Sequence, residues 1–194
     1  MTEAGTLHDG FVDELRDAYD AERQLTKALR EFSRAASSPG LREAFRIHLE
    51  ETQGHADRLE LVFATLDEKV CGRHCEGIAG IIEEARSIVG TNLDDITMDA
   101  CLLAAGRRAE LYQIAAYGTL VGWAQAMGRS DAASLLQQTL DEERAAEQRL
   151  SSLAEATINQ RTPGTAHHGK DAEPVRAGAV THSYNPATLK LQRL

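Results

Sequence analysis

Apolar positions recur every three or four residues along four long stretches of the chain, the period of helices with one face in a core. In the first, Leu15, Ala18, Glu22, Leu25, Leu29 and Phe32 share a face, predicting a helix from about Asp9 to Ala36. Ser38 and Pro39 follow, residue types suited to a helix N-cap and first helical position. The second helix is predicted over Pro39–Asp67, with Leu41, Phe45, His48, Thr52, His55, Leu59, Val62 and Leu66 on its stripe and Glu51 beside it. So short a link makes the two helices antiparallel neighbours.

Residues 68–94 form a connection that carries a short amphipathic helix, "EGIAGIIEEARSIV". The third long helix starts near Asp94 or Asp95 and ends at Met127-Gly128, with Leu103, Glu110, Ile114, Tyr117, Val121 and Ala124 on its stripe. Gly128 is a C-terminal stop and Ser130 the next N-cap. The fourth helix, Asp131 to about Thr157, presents Leu136, Leu140, Glu143, Glu147, Leu150 and Leu153. From Asn159 the period is lost, so residues 1–158 form the bundle and 159–194 a flexible or draped tail.

The chain also repeats itself: "HLEETQGHADRL" (48–59) aligns with "TLDEERAAEQRL" (139–150), and "DAERQL" (20–25) with "RAELYQI" (108–114). Helix pair, long crossover, helix pair is the order of a ferritin-like four-helix bundle. Composition agrees, because Ala, Leu, Glu and Arg dominate and aromatics are only 5%; this mixture favours helices over strands. A net charge of −9 argues against nucleic acid or an anionic membrane as partner. No run approaches a membrane span. Three sparse cysteines, Cys71, Cys75 and Cys101, with no apolar leader, point to a reducing cytoplasm.

Each long helix carries a Glu near its middle on or beside the apolar stripe: Glu22, Glu51, Glu110 and Glu143. His55 and Glu147 follow one turn after Glu51 and Glu143, on the same faces. Counted from the helix ends at about 1.5 Å per residue, all six groups fall in one slab of the bundle. Unpaired, such a cluster is expensive, since each buried ion costs several kcal/mol and like charges raise one another's pKa. Metal ions remove both problems, and carboxylates with imidazole suit iron or manganese. The competing reading is a structural network in which Arg107, Arg108 and Arg144 pair with these carboxylates. His48 is read as a packed core histidine, and Tyr112 and Tyr117 as packing. Cys71-x-x-His74-Cys75 has ligand chemistry but no second half at zinc spacing.

The blocks "LRDAYDAERQLTKAL", "HLEETQGHADRLELVF", "AELYQIAAYGTL" and "LLQQTLDEERAAEQRL" resemble the YciE/YciF family of bacterial ferritin-like stress proteins, over about residues 9–157. The resemblance implies a stress-response protein with a carboxylate-bridged centre of two iron or manganese ions. That centre would handle metal or a small oxidant such as peroxide or oxygen. A homodimer is expected. More distant relatives place Glu-x-x-His on helices two and four; here Gly54 precedes His55, and Ala146 precedes Glu147. There is no rubredoxin-type cysteine pair, so built-in electron delivery is not expected. A metal-free dimeric bundle serving as an interaction protein is the alternative.

Overall fold

The computed structural model describes residues 5–158. Five α-helices follow in order: α1 (Leu7–Ala35), α2 (Pro39–Thr65), α3 (Glu76–Val89), α4 (Asp95–Ala126) and α5 (Ser130–Leu153), then a π-helical turn at Ala154–Ile158. No strand occurs among the described residues. The tail expected from residue 159 lies outside them.

The helix boundaries follow local chemistry. Thr6 and Asp9 form a capping box that starts α1 two residues before the first apolar-periodic turn suggested. Ser38 caps α2, with Pro39 in its first turn. Asp94 accepts from the amides of Ile96 and Thr97 to start α4. Gly128 ends α4's last turn at φ 69°, a conformation that costs glycine little. Ser130 is the first residue of α5 rather than its cap; Arg129 holds the cap position without a side-chain bond. The dipole is served instead by Asp131 in the first turn.

The four long helices pack in the cyclic order α1, α2, α5, α4, and α3 lies on α1 and α4. One apolar cluster joins the C-terminal half of α1, the N-terminal halves of α2 and α4, the end of α5 and α3. The other joins the N-terminal half of α1, the C-terminal halves of α2 and α4, and the start of α5. Helices α2 and α4 therefore run parallel, which is why their connection must travel back along the bundle. This is a ferritin-like bundle with a long crossover. The α1–α2 turn is pinned to α4 by the buried Asp99 carboxylate, which accepts from the amides of Ser37 (2.7 Å) and Ser38 (2.6 Å). Gly106 lets α4 come close to its neighbours: a Cβ there would lie 3.0 Å from Phe45 and 3.1 Å from Leu150.

Candidate metal centre

Between the two apolar clusters lies a polar waist. Glu22, His48, Thr52, His55, Glu110, Gln113, Thr139 and Glu143 are all buried. Two groups of side chains there can each close on a single ion: Glu22, His55 and Glu143, and His48, Glu110 and Glu143. Glu143 belongs to both. Each of the four long helices thus contributes to the waist, because its apolar stripe is interrupted at the same depth.

In the first group, His55 Nδ1 lies 3.1 Å from Glu143 Oε1 and 3.6 Å from Glu22 Oε1. Glu22 Oε1 is held by two donors from α4, Gln113 Nε2 at 2.9 Å and the Tyr117 hydroxyl at 2.6 Å. In the second group, His48 Nε2 lies 3.1 Å from Glu110 Oε1 and 3.9 Å from Glu143 Oε2. Several buried atoms in this slab have no hydrogen-bond partner: Glu22 Oε2, Glu110 Oε2, both oxygens of Glu143, His55 Nδ1 and His48 Nδ1. The short His55–Glu143 approach is not a hydrogen bond, and both of its atoms remain unpaired. Native interiors rarely leave such groups without partners.

The electrostatics reflect this crowding. Burial and the neighbouring Glu143 charge push the Glu110 carboxyl well above its usual range. Burial acts the same way on Glu143, but the histidines outweigh it and hold that carboxyl below its usual range. Burial disfavours a charged His55, yet Glu143 and Glu22 outweigh it and push the imidazole up to about 10. Tyr117 is raised well above the ordinary phenol value by burial and by the Glu22 charge.

Of the side chains expected from sequence, Glu22, His55, Glu110 and Glu143 come together. Glu51 and Glu147 do not join them. Glu51 forms an ion pair with Arg149. Glu147 accepts from Arg107 at 2.9 Å and from Ser151 at 2.6 Å. The reason is helical phase. The internal repeat aligns Glu51 with Glu142 and Thr52 with Glu143, and in α2 it is Thr52 that points inward, fully buried.

His48, expected as a core histidine, is instead the imidazole of the second group, and Tyr117, expected as packing, holds Glu22. The available signal was the stripe itself: His48, Thr52 and His55 lie on it, whereas Glu51 lies beside it. Of the Cys71–Cys75 segment, Cys71 is exposed and Cys75 is buried, its thiol 3.2 Å from the Tyr112 hydroxyl. These residues do not form an ion-sized group.

Fold and site together define a class: a ferritin-like helical bundle whose waist carries carboxylates and imidazoles able to hold metal. The chain belongs to the family described as a domain of unknown function, DUF892, whose model matches residues 6–163. It is 39% identical to protein YciF of Escherichia coli K12 over 162 residues, 83% of this chain and 98% of that one. It also superposes on the crystal structure of that organism's stress protein YciF with a TM-score of 0.78, over 81% of this chain and 100% of that chain. YcfI of Rhodopseudomonas palustris is similar at 39% identity and a TM-score of 0.75, over 76% of this chain and 94% of that chain. No helix among the described residues is long and apolar enough to cross a membrane.

Proposed function

We propose that this protein is a ferritin-like metalloprotein of the stress response, holding two ions of iron or manganese per chain. Glu22, His55 and Glu143 hold one ion; His48, Glu110 and Glu143 hold the other, with Glu143 shared. The observation that carries this reading is the set of partnerless buried atoms, Glu22 Oε2, Glu110 Oε2, both Glu143 oxygens and His55 Nδ1, gathered around one shared carboxylate. Three carboxylates with two imidazoles are a donor set suited to iron or manganese, and a carboxylate shared by two ion-sized groups is the arrangement of di-metal bundles.

When bound, the ions supply redox and Lewis-acid chemistry toward peroxide or oxygen. The chain's own part is to hold the donors in place. Gln113 and Tyr117 fix one oxygen of Glu22 and leave the other free for an ion. The two apolar clusters keep bulk water from the slab on either side. The protein acts as a homodimer, without nucleic acid or membrane.

Metal analysis of the freshly purified full-length protein, from cells grown with iron and with manganese, tests the proposal. About two ions per chain in wild type, and a marked loss in Glu143→Ala, are expected. No bound ion from either culture would instead support a metal-free dimeric interaction protein. Thr52 and Ala146, which occupy the places of a second Glu and a second His in the Glu-x-x-His plan, favour that second reading.

A further inference from the structure

Both buried histidines have a second carboxylate behind them, and both of those carboxylates are tied to arginine. His55 Nε2 lies 2.9 Å from Glu142 Oε2. Arg58 grips Glu142 with two parallel bonds of 3.0 Å each and also reaches Thr139 at 2.6 Å. On the other side of the waist, His48 Nδ1 faces Glu51 Oε2 at 3.6 Å, and Glu51 pairs with Arg149. The internal repeat aligns Glu51 with Glu142 and Arg58 with Arg149. The two pairs are therefore reciprocal: an α2 arginine holds an α5 carboxylate, and an α5 arginine holds an α2 carboxylate.

We propose that Glu142–Arg58 and Glu51–Arg149 are matched clamps that orient His55 and His48, and so decide which ring nitrogen each histidine turns to the ions. The proposal rests on the metal-centre reading above. A neutral imidazole has one N–H and one lone pair, and only the lone pair binds metal. A carboxylate that takes the outer N–H leaves the lone pair facing inward. At His55 the outer nitrogen is Nε2, so Nδ1 serves the Glu22–Glu143 group. At His48 the roles are reversed: the outer nitrogen is Nδ1 and Nε2 serves the Glu110–Glu143 group. The arginines hold both outer carboxylates in place. Burial and the His48 and Arg149 contacts act against each other on Glu51, and the contacts prevail to hold its carboxyl below the usual range. An ordinary exposed ion pair on the α2–α5 seam would have no reason to end on a buried ring nitrogen at both repeats. The Glu51 clamp stands beyond hydrogen-bond distance from its ring, so the Glu142 clamp has the stronger hold.

The test uses the full-length protein, Co2+ as probe with visible absorption, and Zn2+-loaded protein with 15N-labelled histidine for NMR. In wild type, His55 should carry its proton on Nε2 and His48 on Nδ1. Glu142→Ala should weaken Co2+ binding 10- to 100-fold and disturb the His55 nitrogen pattern while leaving that of His48 intact. Glu142→Gln keeps an acceptor oxygen and should recover most of the tautomer with only part of the affinity. Glu51→Ala should act on His48, more weakly. Glu147→Ala breaks a similar arginine pair that touches neither ring, and should leave Co2+ affinity unchanged. Equal loss in Glu147→Ala would mean that seam packing explains the effect and would overturn the clamps. So would wild-type affinity in Glu142→Ala, or the same nitrogen facing inward in both histidines. Wild type that binds neither Co2+ nor Zn2+ would overturn the metal-centre reading itself, and the clamps with it.

Discussion

Glu110 and Glu143 lie in the same slab, yet replacing each by glutamine should move metal-free stability in opposite directions. Glu110 is held largely protonated by burial and by the Glu143 charge. Its unfolded-state value is near 4.5, so keeping it protonated at pH 7 costs at most about 3 kcal/mol. Glutamine has the shape of the protonated acid and no such cost. Glu110→Gln should therefore stabilise the chelated protein by about 1–3 kcal/mol at pH 7. The sign follows from linkage: the folded acid binds a proton that the unfolded one has lost, so wild-type stability falls as pH rises above 4.5. The gain from the substitution should shrink as pH drops through that value, where both states are protonated.

Glu143 is the opposite case, being held ionised by the histidines. Its charge lies 3.1 Å from His55 Nδ1, a gross attraction of about 5 kcal/mol at an effective dielectric near 20. Removing it strands a charged His55, and the net loss after that ring sheds its proton is about 3 kcal/mol. With Mn2+ present both variants should show a smaller metal-derived gain than wild type. An ion at a thousand times its Kd stabilises by about 4 kcal/mol, and a hundredfold weaker site forfeits about 2.7 kcal/mol of that. Urea unfolding followed by circular dichroism, with chelator and with Mn2+, reads all four values. Losses of the same sign and size in the chelated protein would refute the assigned charge states. An unchanged Mn2+ increment in both variants would refute ligation.

Tyr117→Phe removes a 2.6 Å bond to Glu22 from a fully buried ring; it should cost about 1–2 kcal/mol of stability and lower Mn2+ affinity without changing the number of ions bound. Asp99→Ala strips the carboxylate from the Ser37 and Ser38 amides, and should cost about 2–4 kcal/mol in urea unfolding through loss of charged hydrogen bonds. Gly77→Ala places a Cβ 2.6 Å from the Tyr112 hydroxyl, which must swing away from Cys75, so a loss of about 1–3 kcal/mol is expected. Gly80→Ala, with nothing within 4 Å, should be neutral or gain up to about 1 kcal/mol by helix propensity, a difference that thermal melts will show.

How far the chain could be read depended on what kind of information each feature needs. The helices, their order and the short α3 follow from periodicity and caps, which are local properties. The ligands demanded more, because a helix turns 100° per residue and an error of one position moves a side chain off the inward face. Glu51 carries the expected residue type but lies one place before Thr52, the position that is buried in α2. In α5 the carboxylate stands at the inward place itself, as Glu143, with its repeat twin Glu142 just outside. The two halves of the repeat have thus divided one pattern: α5 keeps the inward carboxylate, and α2 keeps the inward histidine at 55 where α5 has Ala146. His48 supplies the imidazole for the second group from about two turns before His55. Residue type alone could not reveal this division. The aligned repeat and the apolar stripe, taken together, place Thr52 rather than Glu51 opposite Glu143, and that same alignment pairs Glu51 with Glu142 and Arg58 with Arg149. Acids one residue off the stripe thus have a place of their own, between a buried ring and an arginine on the facing helix.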